Sequence, residues 1–211
     1  MSVEAVVFDL GGVLVQWDVA MAVRGLMDRA AWQRTAKELD FAELNAMTDA
    51  GRPFVEVAAV VERRHADRPD LVATYRHYLD HLGDAFPGPV PGTQAVAEEL
   101  LAAGVRVLGL TNWSAETVHH SWRVAPVVAR FDGLVVSGQE GVCKPDPRLY
   151  RILLERHALD PARTVFVDDR AENVDAAAAL GMIGLVFTDA ATLRADLGAL
   201  GVPTSTAGRD A

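Results

Sequence analysis

Short apolar runs rich in β-branched residues recur along this chain, and most of them stop at a polar side chain. "AVVF" at 5–8 is followed by Asp9, "VRVLGL" at 105–110 by Thr111 and Asn112, and "TVFV" at 164–167 by Asp168 and Asp169. "GLVVS" at 133–137 leads within a few residues to Lys144 in "GVCKPDP", and a fifth run, "IGLVF", occupies 183–187. Runs of this length with no polar alternation read as strands buried on both faces. Helical patterns lie between the later runs, punctuated at their ends. "TQAVAEELLAAG" offers Thr93 as an N-cap and Gly104 just past its end, and "DPRLYRILLERH" offers Asp146 as N-cap with Pro147 at the first helical position. "AENVDAAAALG" closes with Gly181. Strand and helix in alternation predict an α/β fold, a parallel sheet with helices on both faces and right-handed crossovers. In such sheets chemistry gathers at the carboxyl ends of the strands, where these polar groups fall.

One stretch breaks the rhythm. From about Gln16 to Gly88 the chain is rich in Ala, Arg, Glu and Leu, offers no convincing strand, and ends in the Pro-rich "FPGPVPG" at 86–92. This predicts a helical insert after the first strand, closed by a Pro-rich hinge; the alternative is a few ordinary helices packed on one sheet face. The expected organisation is a core made of 1–15 and 89–205, a cap over 16–88, and a tail at 206–211 that frays. With 211 residues, 50% of them hydrophobic, the chain can bury a full core.

Charge narrows the class of partner. A net charge of −9, from 29 acidic and 20 basic residues, argues against a hold on nucleic-acid phosphates and favours small-molecule chemistry. The single cysteine, Cys143, excludes an intramolecular disulfide framework and suits a reducing compartment. No run approaches the ~20 apolar residues of a membrane span. The expectation is a cytoplasmic protein with neither membrane nor nucleic-acid partner, monomeric or homodimeric, acting on a small phosphorylated molecule.

A parallel sheet would bring the strand-end groups to one edge, and together they permit phosphoryl transfer. A carboxylate on a rigid strand can attack phosphorus and form an aspartyl-phosphate, which makes Asp9 the candidate nucleophile. Asp9, Asp168 and Asp169 supply the hard oxygen ligands that Mg²⁺ prefers. Lys144 supplies a fixed positive charge, and the Thr111 hydroxyl with Asn112 beside it supplies candidate phosphate-binding groups.

These residues fall in four motifs, "FDLGGVL", "LTNWS", "CKPDP" and "FVDDRAENVDAA", whose order and content resemble the haloacid dehalogenase (HAD) superfamily over essentially the whole chain. The resemblance implies a Rossmann-like core, a C1-type helical cap and hydrolase activity. The "DLG" start is similar to that of a sugar-phosphate phosphatase branch. In the family's phosphatases the second residue after the nucleophile is usually an aspartate that protonates the leaving oxygen and lends its backbone carbonyl to the metal. Here that residue is Gly11, which keeps the carbonyl and deletes the acid. A positioned general acid contributes 10²- to 10⁴-fold, or roughly 3–5 kcal/mol of barrier.

Three readings follow. The first is a Mg²⁺-dependent phosphatase of a small, sugar-like phosphate whose leaving group needs little protonation. The second is a 2-haloacid dehalogenase in which Asp9 attacks carbon without a metal. Its drawback is the acid pair in "VDDRAEN", which would repel a substrate carboxylate. The third is a non-catalytic binding protein on the same fold.

Several further residues carry two readings each. Trp17 and Trp113 can wall a substrate pocket or pack core against cap. Asp18 can swing in as a substitute acid or cap the next helix. Asn45, Asp49 and Arg52, in the cap stretch "LNAMTDAGRPFVE", are candidates for substrate selection or a solvated loop. Asn173 and Asp175 can orient Lys144 or a metal-bound water, or serve the helix start, with Asn173 preferred for the supporting role. His119 and His120 read as surface residues, and Cys143 as a packed, inert thiol.

Overall fold

In a computed structural model that describes residues 2–204, the apolar runs form five parallel strands in the order β3-β2-β1-β4-β5. They are β1 (Ala5–Phe8), β2 (Arg106–Thr111), β3 (Gly133–Val136), β4 (Thr164–Asp168) and β5 (Ile183–Val186). The first run takes the middle of the sheet, with Val7 in register with Leu108 on one side and Phe166 on the other. All four residues of β1 are fully buried, the state to which a run with no polar alternation is suited.

The edges are a correction to the reading of strands buried on both faces. β5 is only half-buried, with Val186 at 45% exposure, and the first half of β3 is likewise half-buried. An edge strand has a neighbour on one side only, so cover is incomplete there.

Eleven helices accompany the sheet among the described residues. The stretch after β1 contains α1 (Val19–Ala22), α2 (Arg29–Glu38), α3 (Phe41–Asp49), α4 (Phe54–Arg64) and α5 (Pro69–Asp80). Later come α6 (Thr93–Ala102), α7 (His119–Val124), α8 (Ser137–Glu140), α9 (Pro147–Arg156), α10 (Ala171–Ala178) and α11 (Ala190–Ala199). Alternate β1 side chains enter opposite layers. Val6 and Phe8 join a core containing Leu100 of α6 and Leu197 of α11, whereas Ala5 and Val7 join Leu149 and Leu153 of α9 and Ala177 of α10.

Helix punctuation follows the sequence with one exception. Asp146 caps α9 by accepting from the Arg148 amide, with Pro147 at the first position. Thr93 does not cap α6. Gly92 stands at that place with φ +78, and Thr93 is the first helical residue, its hydroxyl buried without a partner. The left-handed backbone before the helix selected the glycine.

The segment from Gln16 to Gly88 is helical apart from its ends. Its outgoing and returning strands of chain meet where it leaves the sheet: the Gln16 amide donates to Gly88 O (2.9 Å) and the Val90 amide to Leu14 O (2.9 Å). Edge-to-face contacts of Phe41 with Trp32 (5.0 Å) and Tyr78 (5.1 Å) tie α2, α3 and α5 together. The expected fraying at 206–211 lies outside the described residues.

Candidate active site

At the carboxyl edge of the sheet, Asp9 continues the β1 ladder, its amide donating to Val167 O (2.8 Å), while its carboxylate accepts from the Leu10 amide (2.7 Å). The chain then turns on Leu10 O, which accepts from the amides of Leu14 and Val15 (2.8 Å each). The two glycines in this turn are not equivalent. Gly12 has φ +78, and a Cβ there would run into the Asp169 carboxylate. Gly11 would present a Cβ to open space, with nothing within 4 Å. The backbone therefore demands Gly12 but only permits Gly11.

Lys144 reaches the edge from the loop after α8. Its buried ammonium donates to Leu110 O (2.9 Å) and Asp168 Oδ2 (2.7 Å) and pairs with Asp9 Oδ1 at 2.9 Å. Three acceptors match the three protons of an ammonium, as burial of such a charge requires. Asp168 ends β4 and also accepts from the Arg170 amide (2.9 Å) and from Asn173 Nδ2 at 2.9 and 3.1 Å. Asn173 in turn is fastened by Tyr150, whose hydroxyl donates to Asn173 O (2.9 Å). The supporting role of Asn173 is thus exerted on Asp168, and Asp175, two residues on, is exposed.

Ligand atoms of Asp9, Asp168 and Asp169 all lie within 4.8 Å of one another. Three carboxylates face one ammonium, so the cluster lacks positive charge. Burial pushes the Asp9 carboxyl up to about 6 against the pull of Lys144, with Asp168 adding to the rise. Asp169 is raised too, by burial first and then by Asp168. The Arg170 guanidinium does not relieve this, because it is turned to Glu172. An all-oxygen donor set short of two positive charges fits a divalent hard cation.

Thr111 is fully buried at the end of β2, and its hydroxyl has no hydrogen-bond partner. Such groups usually mark a missing partner. Asn112 lines the cavity and also holds the lysine: its Nδ2 donates to Lys144 O (2.9 Å) and its Oδ1 accepts from the Lys144 amide (2.8 Å). Its side chain clasps the backbone that carries the lysine.

Above the acids lies a cavity of about 440 Å³ reached by Asp9, Gly11, Lys144, Asp169 and Asn173, and by Trp17, Asn45, Asp49 and Trp113 from further along the chain. Arg52 is the correction here. It is absent from the lining, and its guanidinium turns along α4 to Glu56 (3.3 Å). Asp18 caps α1 and pairs with Arg29, which holds its carboxyl below the usual range. His119 is exposed, and His120 stacks on Phe86 at 5.5 Å. Burial raises the Cys143 thiol, the opposite of what activates a nucleophile.

Sequence reasoning missed Ser137, whose hydroxyl donates to Asp49 O (2.6 Å) and accepts from the Trp113 amide (3.0 Å). It also missed Phe54, Tyr78, Leu82 and Phe86 on the cavity wall. Their local patterns are those of core residues in ordinary helices, and no local signal separates them.

A model of the haloacid dehalogenase-like hydrolase family matches residues 3–181. The chain belongs to that family. It is 30% identical over 197 residues to the sesquiterpene phosphatase astK of Aspergillus oryzae, covering 88% of this chain and 90% of that protein. A HAD-like family hydrolase from Porphyromonas gingivalis superimposes with a TM-score of 0.71 at 19% identity, over 97% of this chain and 100% of that one. A Bacteroides thetaiotaomicron HAD family enzyme, in complex with magnesium and inorganic phosphate, superimposes at 0.66 with 17% identity, over 89% and 96%. As a HAD-like hydrolase, the chain has the Rossmann-like core that the resemblance implies, here a five-stranded parallel sheet. Among its described residues no helix is long and apolar enough to cross a membrane.

Proposed function

We propose that this HAD-like hydrolase is a Mg²⁺-dependent phosphomonoesterase working through an aspartyl-phosphate on Asp9, with Gln16 to Gly88 as its cap. The observation that carries the reading is the Asp9 carboxylate, held on a buried strand 2.9 Å from Lys144 within the triad of acids. Similarity to a phosphatase supports it, as does the fold neighbour that holds magnesium and phosphate. Asp9, Asp168 and Asp169, with the Gly11 carbonyl, would hold the cation. When bound, it supplies the positive charge that lets a phosphate approach three acids.

The chain's own groups then divide the work. Asp9 Oδ bonds to phosphorus as the bond from phosphorus to the alcohol oxygen breaks, and the alcohol leaves with a proton drawn from water. Water next attacks the same phosphorus, releasing inorganic phosphate and restoring the Asp9 carboxylate. Lys144 orients Asp9 and balances its charge, and the Thr111 hydroxyl offers a donor to a phosphate oxygen. Gly11 places no carboxyl beside the leaving oxygen, which favours esters of acidic alcohols. An anomeric sugar phosphate satisfies that demand, and so does any comparably acidic alcohol.

A panel of phosphomonoesters assayed with Mg²⁺, with EDTA, and with the Asp9→Asn variant tests the mechanism. Phosphate release that needs both the metal and Asp9 is the expected result. Activity that survives EDTA or the substitution overturns it, and metal-independent halide release from 2-chloropropionate would establish attack on carbon instead.

A further inference from the structure

The cavity is lined by two chemically different sets of side chains. The polar cluster of Asp9, Lys144 and Asp169 lines it together with Trp17, Phe54, Tyr78, Leu82, Phe86 and Trp113, and polar side chains such as Asn45, Asp49 and Thr117 share the wall with these six. These six come from separate parts of the chain: the turn before α1, the first residue of α4, α5, the turn after it, and the loop after β2. Phe86 and Trp113 stack nearly parallel, with centroids 4.9 Å apart and planes at 21°, so the two rings fix one another in the wall. Trp17 stands at the mouth with 47% of its surface exposed. An indole held open to solvent beside a catalytic cluster is unusual for a side chain that gains by burial.

Several polar atoms on the wall pair with their neighbours. Asn45 Nδ2 donates to Asp49 Oδ2 (2.8 Å), and the Thr48 hydroxyl donates to Asn45 O (2.8 Å). Trp113 Nε1 donates to the Thr117 hydroxyl (3.2 Å), and Ser114 Oγ accepts from the Glu116 amide (3.2 Å). No arginine or lysine other than Lys144 and Arg170 reaches the cavity, and the Arg170 guanidinium is engaged with Glu172. These bonds occupy the Trp113 indole N–H and an amide proton of Asn45, and an apolar ring that leaves water for the aromatic side chains gives up no hydrogen bond of its own.

We infer that the substrate is the phosphomonoester of an apolar, ring-bearing or branched alcohol acidic enough to leave without the acid that Gly11 lacks, seated against the aromatic wall, and not a sugar phosphate. This rests on the phosphomonoesterase reading. It replaces the sugar-like substrate expected from the sequence, which was drawn from leaving-group acidity alone. Recognition divides accordingly: the sheet edge holds the phosphate of any ester, and the helical segment selects the alcohol by burying its hydrocarbon.

Two esters with the phosphate on a methylene attached to a six-membered ring test the inference: cyclohexylmethyl phosphate, with an all-carbon ring, and glucose 6-phosphate, whose ring carries an oxygen and four hydroxyls. Each is measured as a competitive inhibitor of p-nitrophenyl phosphate hydrolysis in Mg²⁺, so that leaving-group reactivity drops out. The expected Ki is at least tenfold lower for the cyclohexyl ester, and Trp17→Ala, at the exposed mouth, narrows that ratio about fivefold. A Ki for glucose 6-phosphate equal to or below that of its apolar counterpart overturns the inference, as does a ratio unaffected by Trp17→Ala. If p-nitrophenyl phosphate is not hydrolysed, the phosphomonoesterase reading itself fails. The same two esters are then titrated by quenching of tryptophan fluorescence, where a tenfold preference for the apolar one supports the wall's role and its absence refutes it.

Discussion

Gly11 and Gly12 show one residue type answering two demands. Gly12 is held by positive φ and by the carboxylate of Asp169, so a side chain there disrupts both the turn and the acid cluster. Gly11 has room for a side chain, so its carboxyl group is missing for reasons other than sterics. Gly11→Asp should therefore fold and should raise kcat on alkyl phosphates by about 10²-fold or more, as a positioned general acid does. On p-nitrophenyl phosphate, whose leaving group needs little protonation, the gain should be under about threefold. Steady-state kinetics on both esters decides this, and equal gains would place the effect somewhere other than the leaving oxygen. The "DLGG" string shows that an acid is missing; only the φ angles and clearances show which glycine is replaceable.

The contact between α3 and α8 joins the helical segment to the sheet edge. Ser137 fastens Asp49 O, and Gly51, with φ +93, lies so close to α8 that a Cβ would stand 2.7 Å from Gly138 O. This docking carries the Asp49 carboxyl toward the cavity, where burial first and Asp9 second push it up to about 7, against the pull of Lys144. The folded chain thus holds the Asp49 proton more tightly than the unfolded chain does. Its contribution to stability is present below pH ~4 and is lost as pH rises toward 7. In EDTA, Asp49→Asn should flatten the fall of Tm with pH and exceed the parent at pH 8 by about 1–3 kcal/mol. At about 2–4 °C for each kcal/mol, thermal melts resolve such a gain. A parent whose Tm curve matches that of the variant would show that the carboxyl is not desolvated. The helix itself was foreseeable from composition. The Ser137 bond, spanning 88 residues of sequence, was not, because each partner looks like an ordinary polar residue in its own stretch.

For the molecule as a whole, the three acids converge only in the folded state, so a cation that binds them binds the native chain alone. Mg²⁺ at about 100 times its Kd should add about 2.7 kcal/mol, or about 5–10 °C in Tm. Asp169→Asn should shrink that shift to about half or less, and a shift of the same size in the variant would move the cation to another site. The sequence by itself determined the strands, the capped helix α9, and the order in which Asp9, Thr111, Lys144 and Asp168 arrive at the sheet edge. Apolar runs, caps and turns are local properties, set by residues a few positions apart. Tertiary structure alone decided that Asn112 clasps Lys144, that Asn173 steadies Asp168, and that Arg52 turns away to Glu56. It also gathered Trp17, Phe86 and Trp113 into one wall. These are contacts between distant segments, and their partners are chosen by how the helices pack over the sheet edge, which no local pattern encodes.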